Sequence, residues 1–343
     1  MNKLNIHSMK KLLITAIVCC FIFVACKPKP AIKYDHIEGL AQGTTYSMTF
    51  ENSSGKKYGA LIDSILKDFD RSLSEYVPSS IISRMNANDS TVRADKHFKT
   101  IFEKSGQLWE QTGGAMDITV GPITDALGFG ASAKTEFDSA KIKRLLKYVG
   151  FEKVRLENDK LIKSDTAVKL DVNSIAQGYS VDVVSNFFES EGMKNYMVEI
   201  GGEVRAKGKN AKGLYWHIGI DKPNEGERMP GENLQAIIGL DNQSVTTAGN
   251  YRKFFEDNGV KYTHIINPKT GFPVRSRLLS VTIVAKDCIT ADGWDTAFMV
   301  LGLEKSVELL KKHSELEAYL IYNDEKGNYQ VYMTDGFKKM LTQ

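Results

Sequence analysis

The spacing of apolar residues along the chain predicts a mixture of helices and strands. Between Tyr58 and Leu73 the apolar positions recur three or four residues apart, which is typical of an amphipathic helix. Similar spacing indicates five further helices, one of them beginning after a cap at Asp138 or Ser139. The predicted helices are Tyr58–Leu73, Phe98–Gln111, Ser139–Tyr148, Ser174–Glu191, Thr290–Leu301 and Glu304–His313.

Strand-like segments are short and are most frequent in the second half of the chain. They are predicted at Thr44–Glu51, Lys153–Glu157, Lys160–Lys163, Val168–Val172, Tyr196–Ile200, Glu203–Lys207, Tyr215–Asp221, Leu234–Leu240, Ser244–Thr247, Lys261–Ile266, Leu279–Ala285, Glu317–Tyr322 and Tyr329–Met333. Because helices and strands do not alternate strictly, we expect an α+β fold with helices packed on mainly antiparallel sheet. No shift in composition divides residues 31–343, so one globular unit is expected.

The first 25 residues have the organisation of an export signal. Lys3, Lys10 and Lys11 precede Leu12–Ala25, a run of 14 residues without charge. Such a run is too short to cross about 30 Å of hydrocarbon as a helix. The following Cys26 resembles the lipidated cysteine of a bacterial lipoprotein, so we expect an exported, membrane-anchored protein that faces the periplasm. The expected organisation is a signal peptide at 1–25, a lipid-anchored Lys-Pro spacer at 26–36 and one domain at 37–343.

Charge and cysteine content look different once this segment is set aside. The whole chain has 45 Lys+Arg and 42 Asp+Glu, but without the three lysines the basic and acidic residues are equal in number. The absence of a net positive charge in the rest of the chain gives no support to a nucleic-acid-binding surface. Of the four cysteines only Cys26 and Cys288 follow the signal. With Cys26 lipidated, Cys288 would be a small buried residue without a disulfide partner.

The segment Thr290–Thr296 gives the clearest local indication of a functional site. Asp292 and Thr296 are four residues apart, and Asp295 is three beyond Asp292, so a helix would place them on one face. Carboxylate and hydroxyl oxygens are hard ligands that suit Mg²⁺ better than Zn²⁺. The alternative is that Thr290 caps the helix and Asp292 complements its dipole. The residues alone leave both interpretations open.

Four other segments carry weaker indications. Leu170–Tyr179 leads from an acidic strand end into a helix, where Asp and Asn could hold a ligand or cap the helix. The glycines of Gly113–Pro122 could admit a phosphate, and Gly201-Gly202 could mark only a tight turn. His264 stands near a strand end before a Pro-Gly turn, in a functional or a structural role. Nothing matches a Walker loop, a dinucleotide fingerprint, a CxxC metal site or a nucleophile elbow.

Taken together and in this order, the segments resemble the FAD:protein FMN transferase family, the ApbE-type flavin transferases. The resemblance extends from about Gly43 to Gly302. It is carried by Gly43–Ser47, Ser74–Pro78 with Ile82–Asn86, Gly114–Pro122, Leu170–Asp182, Ile200–Ala206, Thr247–Arg252, His264–Pro273 and Thr290–Thr296. It implies an α+β fold with a pseudo-duplicated core of sheet and helices, and an FAD site in a cleft.

The resemblance also implies roles for individual residues. The implied FAD-binding residues are Gln42, Tyr76, Ala115, Met116, Asp117, Asp171, Gln177, Ile266 and Asp295. Mg²⁺ would be bound by the side chains of Asp292 and Thr296 and by the carbonyl of Ser174, and His264 would be a candidate catalytic residue. Three positions depart from the family: Gln42 replaces a common Met, Asn173-Ser174 a frequent Gly pair, and Gln177 a common Lys. The last change removes a positive charge near the nucleotide.

The implied reaction transfers FMN from FAD to a threonine hydroxyl of an acceptor protein and releases AMP. Mg²⁺ would neutralise the pyrophosphate, and His264 could take the hydroxyl proton because an imidazole titrates at about pH 6.5. An acidic neighbour could do the same. The acceptor would be a protein with a threonine-containing segment, as in redox complexes of the Rnf or Nqr type. The alternatives are an FAD pyrophosphatase that uses water as the nucleophile and a non-enzymatic flavin-binding lipoprotein.

Overall fold

An eight-stranded antiparallel sheet lies at the centre of the protein. The computed structural model describes residues 32–130, 138–223, 233–250, 254–257 and 260–342. Its strands are β1 (Tyr34–Ala41), β2 (Thr44–Glu51), β3 (Val154–Glu157), β4 (Lys160–Lys163), β5 (Tyr196–Ile200), β6 (Glu203–Lys207), β7 (Trp216–Asp221), β8 (Leu234–Leu240), β9 (Gln243–Gly249), β10 (Phe254–Asp257), β11 (Val260–Thr263), β12 (Leu278–Ala285), β13 (Glu317–Asn323) and β14 (Tyr329–Met333). The central sheet has the order β1-β2-β5-β6-β9-β12-β13-β14, and β3–β4, β7–β8 and β10–β11 form separate hairpins. All pairings between these strands are antiparallel, which confirms the predicted α+β class.

Helices cover the sheet and join its strands. They are α1 (Gly59–Leu73), α2 (Ile81–Asn86), α3 (Lys96–Gln111), α4 (Gly121–Leu127), α5 (Ser139–Leu145), α6 (Ala176–Ser190), α7 (Cys288–Leu301), α8 (Leu303–Leu310) and α9 (Asp335–Met340). Helix α6 packs on β5 and β6, helix α7 packs on β9 and β12, and the two helices also pack on each other. This repeated arrangement of a helix over a strand pair agrees with the expected pseudo-duplicated core. Among the described residues, no helix has the length and apolar character needed to cross a bilayer.

The compact body of the protein begins with β1 at Tyr34, so it includes the last residues of the predicted spacer 26–36. The predicted signal peptide 1–25 and the candidate lipidation site Cys26 lie outside the described residues. The side chain of Cys288 is fully buried, as expected, and Cys288 is a free cysteine.

The segment Val168–Val172 was predicted as a strand, and this prediction is wrong. The segment is irregular: it has an isolated parallel bridge between Lys169 and Val120, and the Asp171 N–H donates to the Ile118 carbonyl oxygen at 2.7 Å. Side chains satisfy much of its backbone: Asn86 binds both the N–H and the carbonyl oxygen of Leu170, at 2.8 Å each, and Glu75 accepts the Val172 N–H at 2.8 Å. Long-range side-chain partners thus replace a strand ladder.

The start of helix α7 was also predicted incorrectly. Thr290 does not cap α7, because the helix begins at Cys288 and its cap is Asp287, whose side chain accepts the Thr290 N–H. Asp292 therefore lies one turn inside the helix. The predicted helix face is nevertheless present, since Asp292, Asp295 and Thr296 all belong to α7.

Several short elements were not predicted. They are the edge strand β1, strand β10 and helices α2, α4 and α9. The three helices have six or seven residues, too few to show a clear apolar period. Helix α2 depends on its cap, because the Ser80 hydroxyl accepts the Ser83 N–H.

Candidate functional site

Helices α6 and α7 approach so closely that their backbones are in contact at Gly178. A Cβ atom at Gly178 would lie 2.5 Å from the carbonyl oxygen of Cys288 and 2.6 Å from the Cβ of Asp292. Only glycine permits this approach. As a result, the Asp292 carboxylate reaches the first turn of α6, where its Oδ2 accepts the Gly178 N–H at 2.7 Å. The positive end of the α6 dipole favours a negative group at this position.

Three carboxyl groups at or near this crossing interact through their charges, and the described residues supply no ion-pair partner for any of them. Asp292 and Asp295 are buried, and Oε2 of Glu203 is buried with no hydrogen-bond partner among the described residues. Burial raises the pKa of Asp292 to about 7, although the Gly178 hydrogen bond acts in the opposite direction. Burial and the neighbouring Asp292 charge raise the pKa values of Asp295 and Glu203 well above their usual range. Among the described residues, no basic side chain forms an ion pair with any of the three.

A neighbouring carboxylate, Asp182 of α6, has several hydrogen-bond partners and a cation, although burial still raises its pKa above the usual value. Its two oxygens accept the N–H groups of Cys288 and Ile289 at 3.0 and 2.8 Å, and the Arg205 guanidinium lies 2.7 Å from Oδ1. Arg205 also lies 3.5 Å from Glu189. Asp182 thereby holds the first turn of α7 and sets the position of Asp292 one turn later.

The residues at the crossing fit the predicted magnesium site. Ser174 lies in the turn just before α6, and the partly exposed Thr296 hydroxyl lies 3.3 Å from Asp295. The unpartnered Glu203 oxygen and the elevated carboxyl pKa values are what a hard cation would relieve. In the described part of the chain, however, no three His, Cys, Asp or Glu side chains form a complete metal site. A cation here would need hydroxyl, carbonyl and substrate oxygens as additional ligands.

Two glutamines that were predicted to bind FAD lie by the start of α6: Gln177 belongs to the helix, and Gln42 contacts its Ser180. Gln42 occupies the β1–β2 turn with a positive φ of 54°, and its Nε2 is buried with no partner among the described residues. The Ser180 hydroxyl lies 3.2 Å from Oε1 of Gln42 and donates to the carbonyl oxygen of Gln177 at 2.7 Å. The Gln177 amide covers Gly201 so closely that a Cβ there would lie 1.6 Å from Nε2. Ser180 therefore links the Gln42 side chain to the backbone of Gln177.

A second acidic region contains Asp171 and Tyr76. Asp171 is buried, and its Oδ1 accepts the backbone N–H and the side-chain Nδ2 of Asn173 at 3.0 and 2.9 Å. Glu75 accepts the Val172 N–H and faces Asp171. Tyr76 is 64% exposed, so its ring is available to a ligand.

The predicted residues of the Gly114–Pro122 loop face the interior of the protein. Ala115 and Met116 are buried in the core. Asp117 accepts the Thr119 N–H and hydroxyl at 2.8 and 2.6 Å and the Phe151 N–H at 3.1 Å. These bonds show that the Asp117 carboxylate holds the loop in shape. A ligand contact from this loop would therefore use its backbone.

His264 and Ile266 lie on the loop that follows β11. The His264 ring lies 6.4 Å from the Phe129 ring in an edge-to-face arrangement, and Ile266 is buried and bridged to Pro273. A cavity of about 470 Å³ opens beside this loop. Its lining residues, at 267, 270, 273–277 and 300–304, include none of the residues predicted to bind FAD or metal, so we do not assign the cavity to the site.

Four residues of the two acidic regions were not predicted from the sequence as functional residues. They are Glu75, Asp182, Glu203 and Arg205. All stand within or beside segments that were singled out, but a single charged residue on a helix, strand or turn has no local signature of burial. Their roles depend on contacts across long sequence separations, such as the 97 residues between Glu75 and Val172.

Comparisons with known proteins identify the family and the fold of the chain. A family model described as the ApbE family matches residues 42–320. The FAD:protein FMN transferase of Haemophilus influenzae is 36% identical, over 97% of this chain and 99% of that protein. The flavin transferase ApbE of Vibrio cholerae has a similar structure, with a TM-score of 0.81, 33% identity, and coverage of 90% of this chain and 100% of that one. The apo form of the Pseudomonas stutzeri flavinyl transferase ApbE superposes with a TM-score of 0.79 at 30% identity, covering 90% and 97% of the two chains. The chain belongs to the ApbE family.

Proposed function

We propose that this protein transfers FMN from FAD to a threonine hydroxyl of an acceptor protein and releases AMP. Its similarity to proteins named FAD:protein FMN transferase, along nearly the full length of both chains, carries this proposal. The group of buried carboxyls at the α6–α7 crossing supports it, because a phosphoryl-transfer site for a dinucleotide needs a cation near the phosphates.

Mg²⁺ would be held by Asp292, Thr296 and the Ser174 carbonyl, with phosphate oxygens of FAD completing its shell. Charge on the pyrophosphate and on the departing AMP would be neutralised by the bound ion. Asp292 must be deprotonated to act as a ligand, so its elevated pKa makes metal binding dependent on pH.

The other residues would bind and orient FAD and move one proton. Gln42 and Gln177 would donate amide N–H groups to the nucleotide from one wall of the site. Tyr76 would present its exposed ring to a flat group. His264 would accept the proton of the attacking threonine hydroxyl at a ring nitrogen, and an acidic neighbour is the alternative base.

We further propose that Cys26 carries a lipid and that the domain acts at the periplasmic face of a membrane. The charge-free run Leu12–Ala25 and the following cysteine support this placement. The acceptor would then be an exported or membrane redox protein, with Rnf- or Nqr-type subunits as the first candidates.

The test is an acceptor-labelling assay with purified protein, FAD and a threonine-containing acceptor domain, with and without Mg²⁺. We expect the acceptor to gain the mass of FMN and a fluorescence that survives denaturation, only when Mg²⁺ is present. An acceptor whose threonine is replaced by valine is the matched control. Release of free FMN and AMP without acceptor labelling would instead indicate a pyrophosphatase, and tight FAD binding without turnover a flavin-binding lipoprotein.

A further inference from the structure

Glu75 and Asp171 form a pair of carboxyl groups joined by Asn173. The Asn173 Nδ2 lies 2.9 Å from Oδ1 of Asp171 and 3.5 Å from Oε1 of Glu75. The same Glu75 oxygen accepts the Val172 N–H at 2.8 Å. Both side chains therefore have one oxygen engaged by the segment 172–173, and their positions are coupled.

The pair has no cation of its own among the described residues. Lys169, on the same segment, binds Asp125 at 2.7 Å instead. Burial, and after it the Asp171 charge, raise the pKa of Glu75 well above its usual value, and a hydrogen bond with Asp171 acts in the same direction. The titratable groups that interact with Glu75 are Asp171, Asp125 and Tyr76. Arg84, on helix α2, binds Asp89.

We propose that Glu75 is a positioning residue: it keeps its proton, shares it with Asp171, and so directs Asp171 toward the hydroxyl or ring N–H donors of FAD. This inference rests on the proposed FAD-dependent function and on Asp171 as an FAD-binding residue. Two carboxyls that together carry one negative charge would repel a phosphate but accept hydrogen bonds from a neutral donor. The pair would thus bind the sugar or ring end of the dinucleotide, and the Asp292 region would bind its phosphates.

Two substitutions separate this role from a merely structural one. Glu75→Gln keeps an acceptor for the Val172 N–H and offers an amide N–H to Asp171, as the protonated acid does. We expect its KM for FAD to stay within about threefold of wild type at pH 6.5, with an unchanged kcat. Glu75→Ala removes the carboxyl group beside Asp171 and leaves the Val172 N–H without the acceptor that Glu75 supplies. Its KM for FAD should rise by about 10-fold, with kcat changed much less, as for the loss of an orienting partner.

The pH dependence gives a second readout. In the wild type, FAD affinity in EDTA, measured from flavin fluorescence, should weaken as pH rises and Glu75 loses its proton. The second negative charge then repels the Asp171 carboxylate and displaces it from the position in which it accepts hydrogen bonds from FAD. This part of the dependence should be absent in Glu75→Gln. Glu110→Gln, which removes an exposed carboxylate from α3, is the control for loss of charge and should behave like wild type.

The proposal is overturned if Glu75→Ala binds FAD as tightly as wild type, or if Glu75→Gln shows the wild-type pH dependence. It is also overturned if both variants lose FAD affinity equally, since the conservative variant must rescue it. Circular dichroism of each variant separates these results from misfolding. If the wild-type protein still labels its acceptor, these results overturn only the role of Glu75 and leave the proposed function intact. If the wild-type protein binds no FAD, the proposed function itself is contradicted.

Discussion

Asp182 and Asp292 are two buried carboxylates in neighbouring helices, and burial raises the pKa of both, but they differ in the partners that the chain gives them. Asp182 accepts two backbone N–H groups of α7 and an Arg205 hydrogen bond at 2.7 Å, so the chain itself supplies partners for its charge, although burial still raises its pKa. Asp292 accepts one N–H from Gly178 and faces Asp295 and a Glu203 oxygen without a partner. A compensated carboxylate stabilises a fold, whereas an uncompensated cluster costs stability unless something external neutralises it. The comparison separates a structural acid from one suited to bind a cation.

The largest expected effect is the loss of activity in Asp292→Asn. The amide keeps the size of the side chain and can still accept the Gly178 N–H, but it loses the negative charge that a cation needs. We expect acceptor labelling to fall by at least about 100-fold while folding is retained. A variant that labels the acceptor at half the wild-type rate would remove Asp292 from the metal site.

Arg205→Met should have the opposite profile and act mainly on stability. The methionine fills much of the same volume but leaves Asp182 buried without its cation, so the free energy of unfolding should fall by about 3–5 kcal/mol. Chemical denaturation measures this change. The double variant Arg205→Met with Asp182→Asn should regain part of the loss, because the uncompensated charge is gone. No recovery would mean that Arg205 acts through packing.

The pH dependence of stability in EDTA should report Asp292. Its pKa is raised to about 7 in the folded protein, against about 3.9 in an unfolded chain. The folded state therefore binds the proton more tightly, and the resulting stabilisation is complete below pH 4 and is lost as pH rises through 7. Between pH 5 and pH 8 the melting temperature should fall more steeply in wild type than in Asp292→Asn. Equal slopes would contradict the assignment.

Glu203→Gln should give the smallest effect of the series. The substitution removes one of three like charges and should stabilise the metal-free protein at pH 8 by on the order of 1 kcal/mol. We expect thermal unfolding in EDTA to show this gain, and Glu38→Gln, at an exposed position of β1, to show none. Destabilisation by Glu203→Gln would mean that its carboxylate has a favourable partner.

The sequence predicts most of the secondary structure and part of the site. Helices α1 and α3 have a clear apolar period, and the Asn158-Asp159 turn between β3 and β4 has the positive φ values, 50° and 61°, that a tight hairpin turn requires. The face shared by Asp292 and Thr296 also follows from helical spacing alone. These features are local, so a single sequence is sufficient to predict them.

What the sequence does not predict depends on contacts between distant residues. Val168–Val172 lacks a strand ladder because Asn86 and Glu75 bind its backbone from 84 and 97 residues away. Likewise α7 starts at Cys288 because Asp287 caps it and Asp182, 106 residues earlier, accepts the Cys288 N–H. Nothing local marks these partners, nor the contact at Gly178 that brings Asp292 to α6.

The most direct test is the thermal shift caused by Mg²⁺ at pH 8 in wild type, Asp292→Asn and Arg205→Lys, measured with FAD present. Binding of a ligand to the folded state raises its melting temperature. We predict that Mg²⁺ raises the melting temperature of wild type and of Arg205→Lys, which keeps a positive charge beside Asp182, but not that of Asp292→Asn. An equal shift in wild type and Asp292→Asn would contradict the claim that the uncompensated carboxylates at the α6–α7 crossing bind the cation.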